Sequence, residues 1–248
     1  MKDPLVRVLM RWFKYWEIGP FDPRHPNTTK KFHDSIDNSL PAQAVVLDLG
    51  CGKSDQHHRR ELFKDKIQLV GGMDIDRNVE MNKDLDFVCR ATAYKLPFTN
   101  QIFDLVWADY VLEHLSTPTV TFNEVFRVLK PGGCFVFRTP NLGNYVAIIA
   151  KTVPSKFYKT FLNIGGRNSE DAYPTYFKAN RLKDLTYFAK KEGFRIQTVS
   201  FVDGGPSYLE FFFPLYLLGS VFQYIINMSH HFRYLRSNII MILEKPNK

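Results

Sequence analysis

Residues 45–54 of this 248-residue chain read Val-Val-Leu-Asp-Leu-Gly-Cys-Gly-Lys-Ser, an apolar run that meets two glycines directly behind an acid. A β-branched run ending in glycines is how a buried parallel strand turns into a helix, and glycine lets the backbone come close to a ligand. Asp48, Gly50 and Gly52 therefore mark a turn suited to a cofactor. A phosphate-binding P-loop needs a glycine five positions before Gly52, and Leu47 stands there despite the Gly52-Lys53-Ser54 that follows. A dinucleotide fingerprint needs a third glycine three positions beyond Gly52, where Asp55 would instead repel a pyrophosphate. Asp74 ends a second apolar run, a little beyond the ~20 residues from a glycine turn at which an acid on a strand tip reaches a ribose diol. A carboxylate suits that task because it accepts hydrogen bonds from both hydroxyls. Ile75 follows it, and Asp76, the alternate acid, better suits an N-cap before Arg77.

The pattern acid-x-Gly-x-Gly after a strand resembles the opening motif of class I S-adenosylmethionine-dependent methyltransferases. Three later segments resemble the same family in the same order: Leu96-Pro97-Phe98, then Phe103-Asp104-Leu105-Val106, then Leu129-Lys130-Pro131-Gly132-Gly133 leading into a strand. Together they span residues 45–138. The resemblance implies S-adenosylmethionine as cofactor, with Asp48 orienting its methionine end, Gly50 and Gly52 giving backbone access, and Asp74 holding the ribose. It also implies an adenine contact near Thr92 and Ala93. Thr92 stands where the family commonly carries an acid, and Ser54 where it often carries a third glycine. In the family the segment Asp109 to Leu115 crosses the mouth of the cofactor cleft. Asp109, Glu113 and His114 are accordingly the candidate catalytic groups, and Asp109 is also a candidate cofactor contact. The loop after the fifth strand faces the methyl group in these enzymes, which makes Asn141, Tyr145, Arg167, Tyr173 and Tyr176 candidate substrate contacts. The Asn-Pro-Pro-Tyr type motif that suits exocyclic amino groups of bases is absent after the fourth strand, which argues against nucleic-acid N-methylation. The implied activity is methyl transfer to a small or partly apolar acceptor, with a hydroxyl of a sugar, lipid-linked glycan or secondary metabolite as the expected nucleophile. The alternative is a cofactor-binding or scaffolding protein that has the fold without catalysis.

The elements that must hold these residues alternate. Strands are expected over 44–49, 67–73, 87–90, 103–108, 134–138, 196–202 and 239–243. Helices are expected over roughly 55–64, from Thr117-Pro118 to a stop at Pro131-Gly132-Gly133, and from an Asn180 cap to Gly193. Such alternation implies an α/β, doubly wound, Rossmann-like sheet of seven strands, mostly parallel with an antiparallel last strand. With 45% hydrophobic residues the chain supports one good core with decorations. Residues 1–40 are read as an amphipathic helix, with Leu5, Val8, Leu9, Trp12 and Trp16 on one face, plus a lid segment. Residues 41–248 form the main domain, decorated by the 141–179 loop and a hydrophobic insertion at 203–237. The insertion is read first as a cap over the substrate cleft, then as a monotopic membrane contact or a homodimer surface. A single membrane crossing there would separate two strands of one sheet. The formal net charge of +8 fits nucleic acid, an anionic surface or an anionic substrate without choosing among them. Three cysteines without paired spacing argue against a disulfide framework or a zinc site. The charged residues Asp3, Arg7, Arg11 and Lys14 interrupt any signal-peptide core, so a cytoplasmic protein, peripheral at a membrane if the insertion contacts one, is expected.

Overall fold

The computed structural model describes residues 28–53, 59–144, 173–204 and 213–247. The expected helix over 5–16 and the positions Tyr145 and Arg167 lie outside the described residues. The elements in order are α1 (Thr28–Asp37), β1 (Ala44–Leu49), α2 (Arg59–Leu62), β2 (Ile67–Asp74), β3 (Phe87–Arg90), β4 (Phe103–Asp109) and α3 (Pro118–Val128). After these come β5 (Leu129–Pro140), α4 (Leu182–Glu192), β6 (Arg195–Val202), α5 (Phe213–Met228) and β7 (Asn238–Glu244). Short 3₁₀ turns follow β2 (Arg77–Met81), β4 (Leu112–His114) and α5 (His230–Leu235).

All seven strands form one sheet in the order β3-β2-β1-β4-β5-β7-β6. The pairs β1–β2, β1–β4, β2–β3 and β4–β5 are parallel. β7 runs the other way beside β5: Gly132 N–H donates to Lys245 C=O, while Asn141 N–H donates to Ser237 C=O at the opposite end. The central strands read as continuous apolar runs because helices cover both faces of a parallel sheet. Val46, Leu47, Leu105, Val106, Trp107, Phe135, Val136 and Phe137 are accordingly fully buried. Phe122 of α3 meets the rings of Phe135 and Phe137 edge-on at 5.7 and 6.0 Å. These contacts seat one helix on the strands that carry the site.

Two local expectations are corrected. Helix α3 ends at Val128, ahead of the Pro131-Gly132-Gly133 expected to stop it, because Leu129 is already extended and its N–H closes on Val125 C=O. β5 therefore begins at Leu129, with a register shift that lets Phe103 pair Leu129 and Leu105 pair Cys134. Asn180 is not the cap of α4. Arg181 occupies that position, and Gly193 closes the helix in the left-handed region as expected.

The chain divides into two compact units. One comprises Phe32–Pro140, Thr175–Ser200 and Ile239–Lys248; the other comprises Met1–Lys31, Asn141–Pro174 and Phe201–Asn238. The glycine turn and the tips of β1, β2, β4 and β5 belong to the first.

Candidate cofactor and catalytic site

β1 delivers Asp48 and then turns sharply at Gly50 and Gly52, both in the left-handed region with φ of 80° and 60°. The N–H groups of Gly50 and Cys51 donate to Met73 C=O at the tip of β2, at 2.7 and 3.2 Å. Gly52 N–H donates to Asp74 Oδ2 at 2.8 Å, and Asp76 N–H to Asp74 Oδ1 at 2.9 Å. From the other side Asn82, 4% exposed, donates its amide to the carbonyls of Cys51 and Gly52. The shape of the turn is thus held by bonds within the chain itself.

The two glycines differ in purpose. A Cβ on Gly50 would lie 2.3 Å from Val111 Cγ2, so Gly50 lets β1 close on the segment after β4. A Cβ on Gly52 would meet no atom of the described residues within 4 Å. Open space in front of a left-handed glycine is where backbone can approach a bound group. Each Asp74 oxygen accepts one N–H and keeps lone-pair capacity, as a ribose diol requires. Ile75 is 50% exposed and Thr92 is exposed, while Ala93 is half-buried. Asp76 takes the N-cap role before Arg77, accepting from Asn78 N–H at 2.7 Å. The glycine turn and Asp74 fit an adenosine-bearing cofactor at the turn and ribose positions.

At the tips of β1, β4 and β5 lies a charge cluster that the sequence did not reveal. Asp109 is clamped by Arg138, through Nε to Oδ1 at 2.7 Å and Nη2 to Oδ2 at 2.8 Å, and by Nη2 of Arg59 on its Oδ2. Arg59 Nη1 also stands 3.8 Å from Asp48 Oδ2. The ring of Phe32 in α1 lies under both guanidiniums, 5.6 and 5.2 Å from them, and Tyr110 stacks on Arg138 at 4.6 Å. Asp48, Arg59 and Arg138 are each at most 5% exposed. Buried charges of this kind persist because they are paired. A signal for Arg138 did exist, since a cation closing the apolar run Cys134-Phe135-Val136-Phe137 needs a partner at the neighbouring strand tip. In the parallel register that partner is Asp109. Nothing comparable marked Arg59 or Phe32.

The candidate acid–base groups separate. Both oxygens of Asp109 are engaged by guanidiniums, so it is a strut between α2, β4 and β5 before it is anything else. Glu113 is 5% exposed, with Thr139 Oγ1 at 3.2 Å from its Oε2, and burial pushes its carboxyl up to about 8. Asn180 donates to Thr139 Oγ1 at 2.7 Å and to Pro140 C=O at 2.9 Å, which extends this buried chain. His114 is half-buried and follows Glu113 on the same 3₁₀ turn.

Of the substrate candidates, Asn141, Tyr173 and Tyr176 lie within the described residues. Asn141 is 3% exposed and spends its amide on Tyr234 C=O and Arg236 C=O at 2.7 and 2.8 Å, while its Oδ1 accepts from Gly143 N–H. It is a clamp rather than a ligand contact. Tyr173 and Tyr176 are 42% and 48% exposed, and Tyr176 N–H donates to Glu113 C=O at 2.8 Å.

A parallel doubly wound sheet with a glycine turn and an acid at the second strand tip defines a nucleoside-cofactor protein of the α/β class. Residues 47–137 match a family model described as a methyltransferase domain. The chain is 37% identical over 101 residues to cycloartenol-C-24-methyltransferase 1 of Oryza sativa subsp. japonica, covering 36% of this chain and 28% of that one. It is 32% identical over 124 residues to sarcosine/dimethylglycine N-methyltransferase of Aphanothece halophytica, covering 46% and 43%. The match thus spans less than half the length of either relative. Among solved structures, phosphoethanolamine N-methyltransferase 2 of Haemonchus contortus in complex with S-adenosyl-L-methionine aligns over 88% of this chain and 53% of that one, with a TM-score of 0.53 and 17% identity. Residues 47–137 thus match a methyltransferase domain, and the sheet has the fold of a structure that binds S-adenosyl-L-methionine.

Proposed function

We propose that the protein binds S-adenosylmethionine at the glycine turn and transfers its methyl group to a small or partly apolar acceptor, with a hydroxyl oxygen as nucleophile. The observation that supports the reading is the left-handed Gly52, free of contacts to its Cβ position among the described residues, while its N–H is tied to Asp74. When bound, the cofactor supplies an electrophilic methyl group on a sulfonium. Gly50 and Gly52 hold the backbone open to it, Asp74 accepts from the ribose, Thr92 and the backbone at Ala93 meet the adenine, and Asp48 orients the methionine end. Ile75 covers the ribose side, and the Asp109 clamp keeps the mouth of the turn in shape.

Positioning does most of the work in such a reaction. Alignment of two bound reactants lowers a barrier by ~7–11 kcal/mol, whereas a general base adds about 10²- to 10⁴-fold in rate. His114, half-buried on the turn beside Glu113, is the imidazole proposed to accept the acceptor's proton, while Asp109 is held by two guanidiniums and Glu113 is buried with its proton on. The same engagement of Asp109 and Glu113 favours the second reading, a cofactor-binding scaffold without turnover.

Calorimetry with S-adenosylmethionine tests the first step. Binding that Asp74→Ala weakens at least tenfold is expected, and no binding at millimolar cofactor would sink the proposal. Incubation with labelled cofactor and a cell extract tests the second: a labelled product that falls about 10²-fold or more with His114→Ala, at unchanged cofactor affinity, supports the enzyme. Binding without any labelled product selects the scaffold.

A further inference from the structure

α5 buries Ile226 but turns most of its described apolar side chains outward. Ser220 and Gln223 are buried, at 1% and 5% exposure, whereas Leu217, Leu218, Val221, Tyr224, Ile225 and Met228 stand 39–70% exposed. These six recur at the spacing of one helical face, so the apolar stripe of the helix points outward. A large contiguous apolar patch on a water-facing surface marks an interaction site. The 3₁₀ turn that follows extends it with exposed Phe232, Tyr234 and Leu235. This turn is held firmly: Asn141 and Asn144 donate their amides to the carbonyls of Tyr234, Leu235 and Arg236, and Arg236 donates to Phe201 C=O.

Charge selects the occupant. No acidic residue lies between Glu210 and Glu244, while His230, His231, Arg233 and Arg236 gather directly after the helix. The whole chain carries a formal net charge of +8. A second copy would bring a surface of the same sign, whereas an anionic bilayer offers an apolar phase under a negative headgroup layer. Tyrosines beside cations suit that boundary, where an amphipathic helix lies in the plane with its apolar face in the acyl region. Among the described residues no helix is long and apolar enough to cross a membrane. We propose that the outer face of α5, with the 3₁₀ turn His230–Leu235, seats the protein on the surface of an anionic phospholipid bilayer as a monotopic contact.

The test uses the full chain and needs no cofactor, so it stands or fails apart from the methyltransferase reading. Sedimentation with vesicles of phosphatidylcholine containing about a third phosphatidylglycerol should carry the protein down. Pure phosphatidylcholine should carry less, and half-molar salt should release a large share. Leu218→Glu with Ile225→Glu should reduce vesicle binding at least tenfold at an unchanged unfolding midpoint, since both positions are exposed. Arg233→Gln should lower affinity for the anionic vesicles about fivefold, the worth of one basic side chain near such a surface. Overturning results are protein left in the supernatant with anionic vesicles, or binding untouched by the double substitution. A discrete dimer in plain buffer, dissociated by the same double substitution, would assign the face to a second copy and overturn the proposal as well.

Discussion

The carboxyl of Glu113 has Thr139 as its hydroxyl partner, and burial keeps its proton on up to about pH 8. The unfolded chain releases the same proton near the ordinary carboxylate value of ~4.3. Between these values the folded state binds more protons than the unfolded state, so the contribution is full below the lower value and is lost as pH rises toward 8. The loss amounts to at most about 5 kcal/mol, at ~1.4 kcal/mol per pH unit. Denaturant midpoints measured from pH 5 to pH 8 should fall for the wild type and much less for Glu113→Gln, which keeps the shape without the ionisation. Equal slopes for the two proteins would refute this account. The sequence placed Glu113 within reach of chemistry by the segment it belongs to. It could not say that the side chain turns toward Thr139 and Asn180, because that depends on residues 26 and 67 positions away. Asp109 was legible as a strand-tip acid in the same way, and Arg138 had a signal as its register partner, whereas Arg59 had none because it becomes a neighbour of Asp109 only through the tertiary fold.

At the scale of elements, the strands were legible almost to the residue, because apolar runs bounded by turn residues encode buried parallel strands directly. The boundary between α3 and β5 was not. Pro131-Gly132-Gly133 reads as a helix stop, yet the helix ends earlier, where Lys245, a residue with no local signature, meets its last carbonyls. Its ammonium donates to Phe126 C=O and Leu129 C=O, both at 2.7 Å, and lies 4.7 Å over the Phe126 ring. A cation that satisfies the last carbonyls of a helix acts as a cap from a distant part of the chain. Lys245→Met should keep the stem's packing and lose these bonds, lowering stability by ~2 kcal/mol. Chemical denaturation reads this directly, and a change under about 0.5 kcal/mol would mean that water replaces the ammonium without loss.

For the whole molecule, the sequence resolved which cofactor the sheet is built for and left the acceptor open. The reason is physical: cofactor contacts come from strand tips and a turn with fixed spacing, whereas acceptor contacts are assigned to irregular segments whose side chains carry no periodic signal. Asn141, offered as a substrate contact, illustrates this, since an asparagine in a loop serves equally to hold a ligand or, as here, to hold the chain itself. A ligand that binds only the native state adds ~2.7 kcal/mol of stability at a hundredfold excess over Kd. For a chain of this size that corresponds to a rise in Tm of roughly 5–10 °C. Thermal melts with and without S-adenosylmethionine should show this rise for the wild type and lose most of it in Asp74→Ala. An equal rise in both would move the ribose contact to another residue.

The outward stripe of α5 also bears on how the protein behaves as a colloid. With Leu218 and Met228 66% and 70% exposed, the molecule carries a surfactant-like face while its central strands are buried. Losses on handling should then come from adsorption at air–water and plastic surfaces rather than from unfolding. A mild non-ionic detergent below its denaturing range should restore recovery without moving the melting temperature.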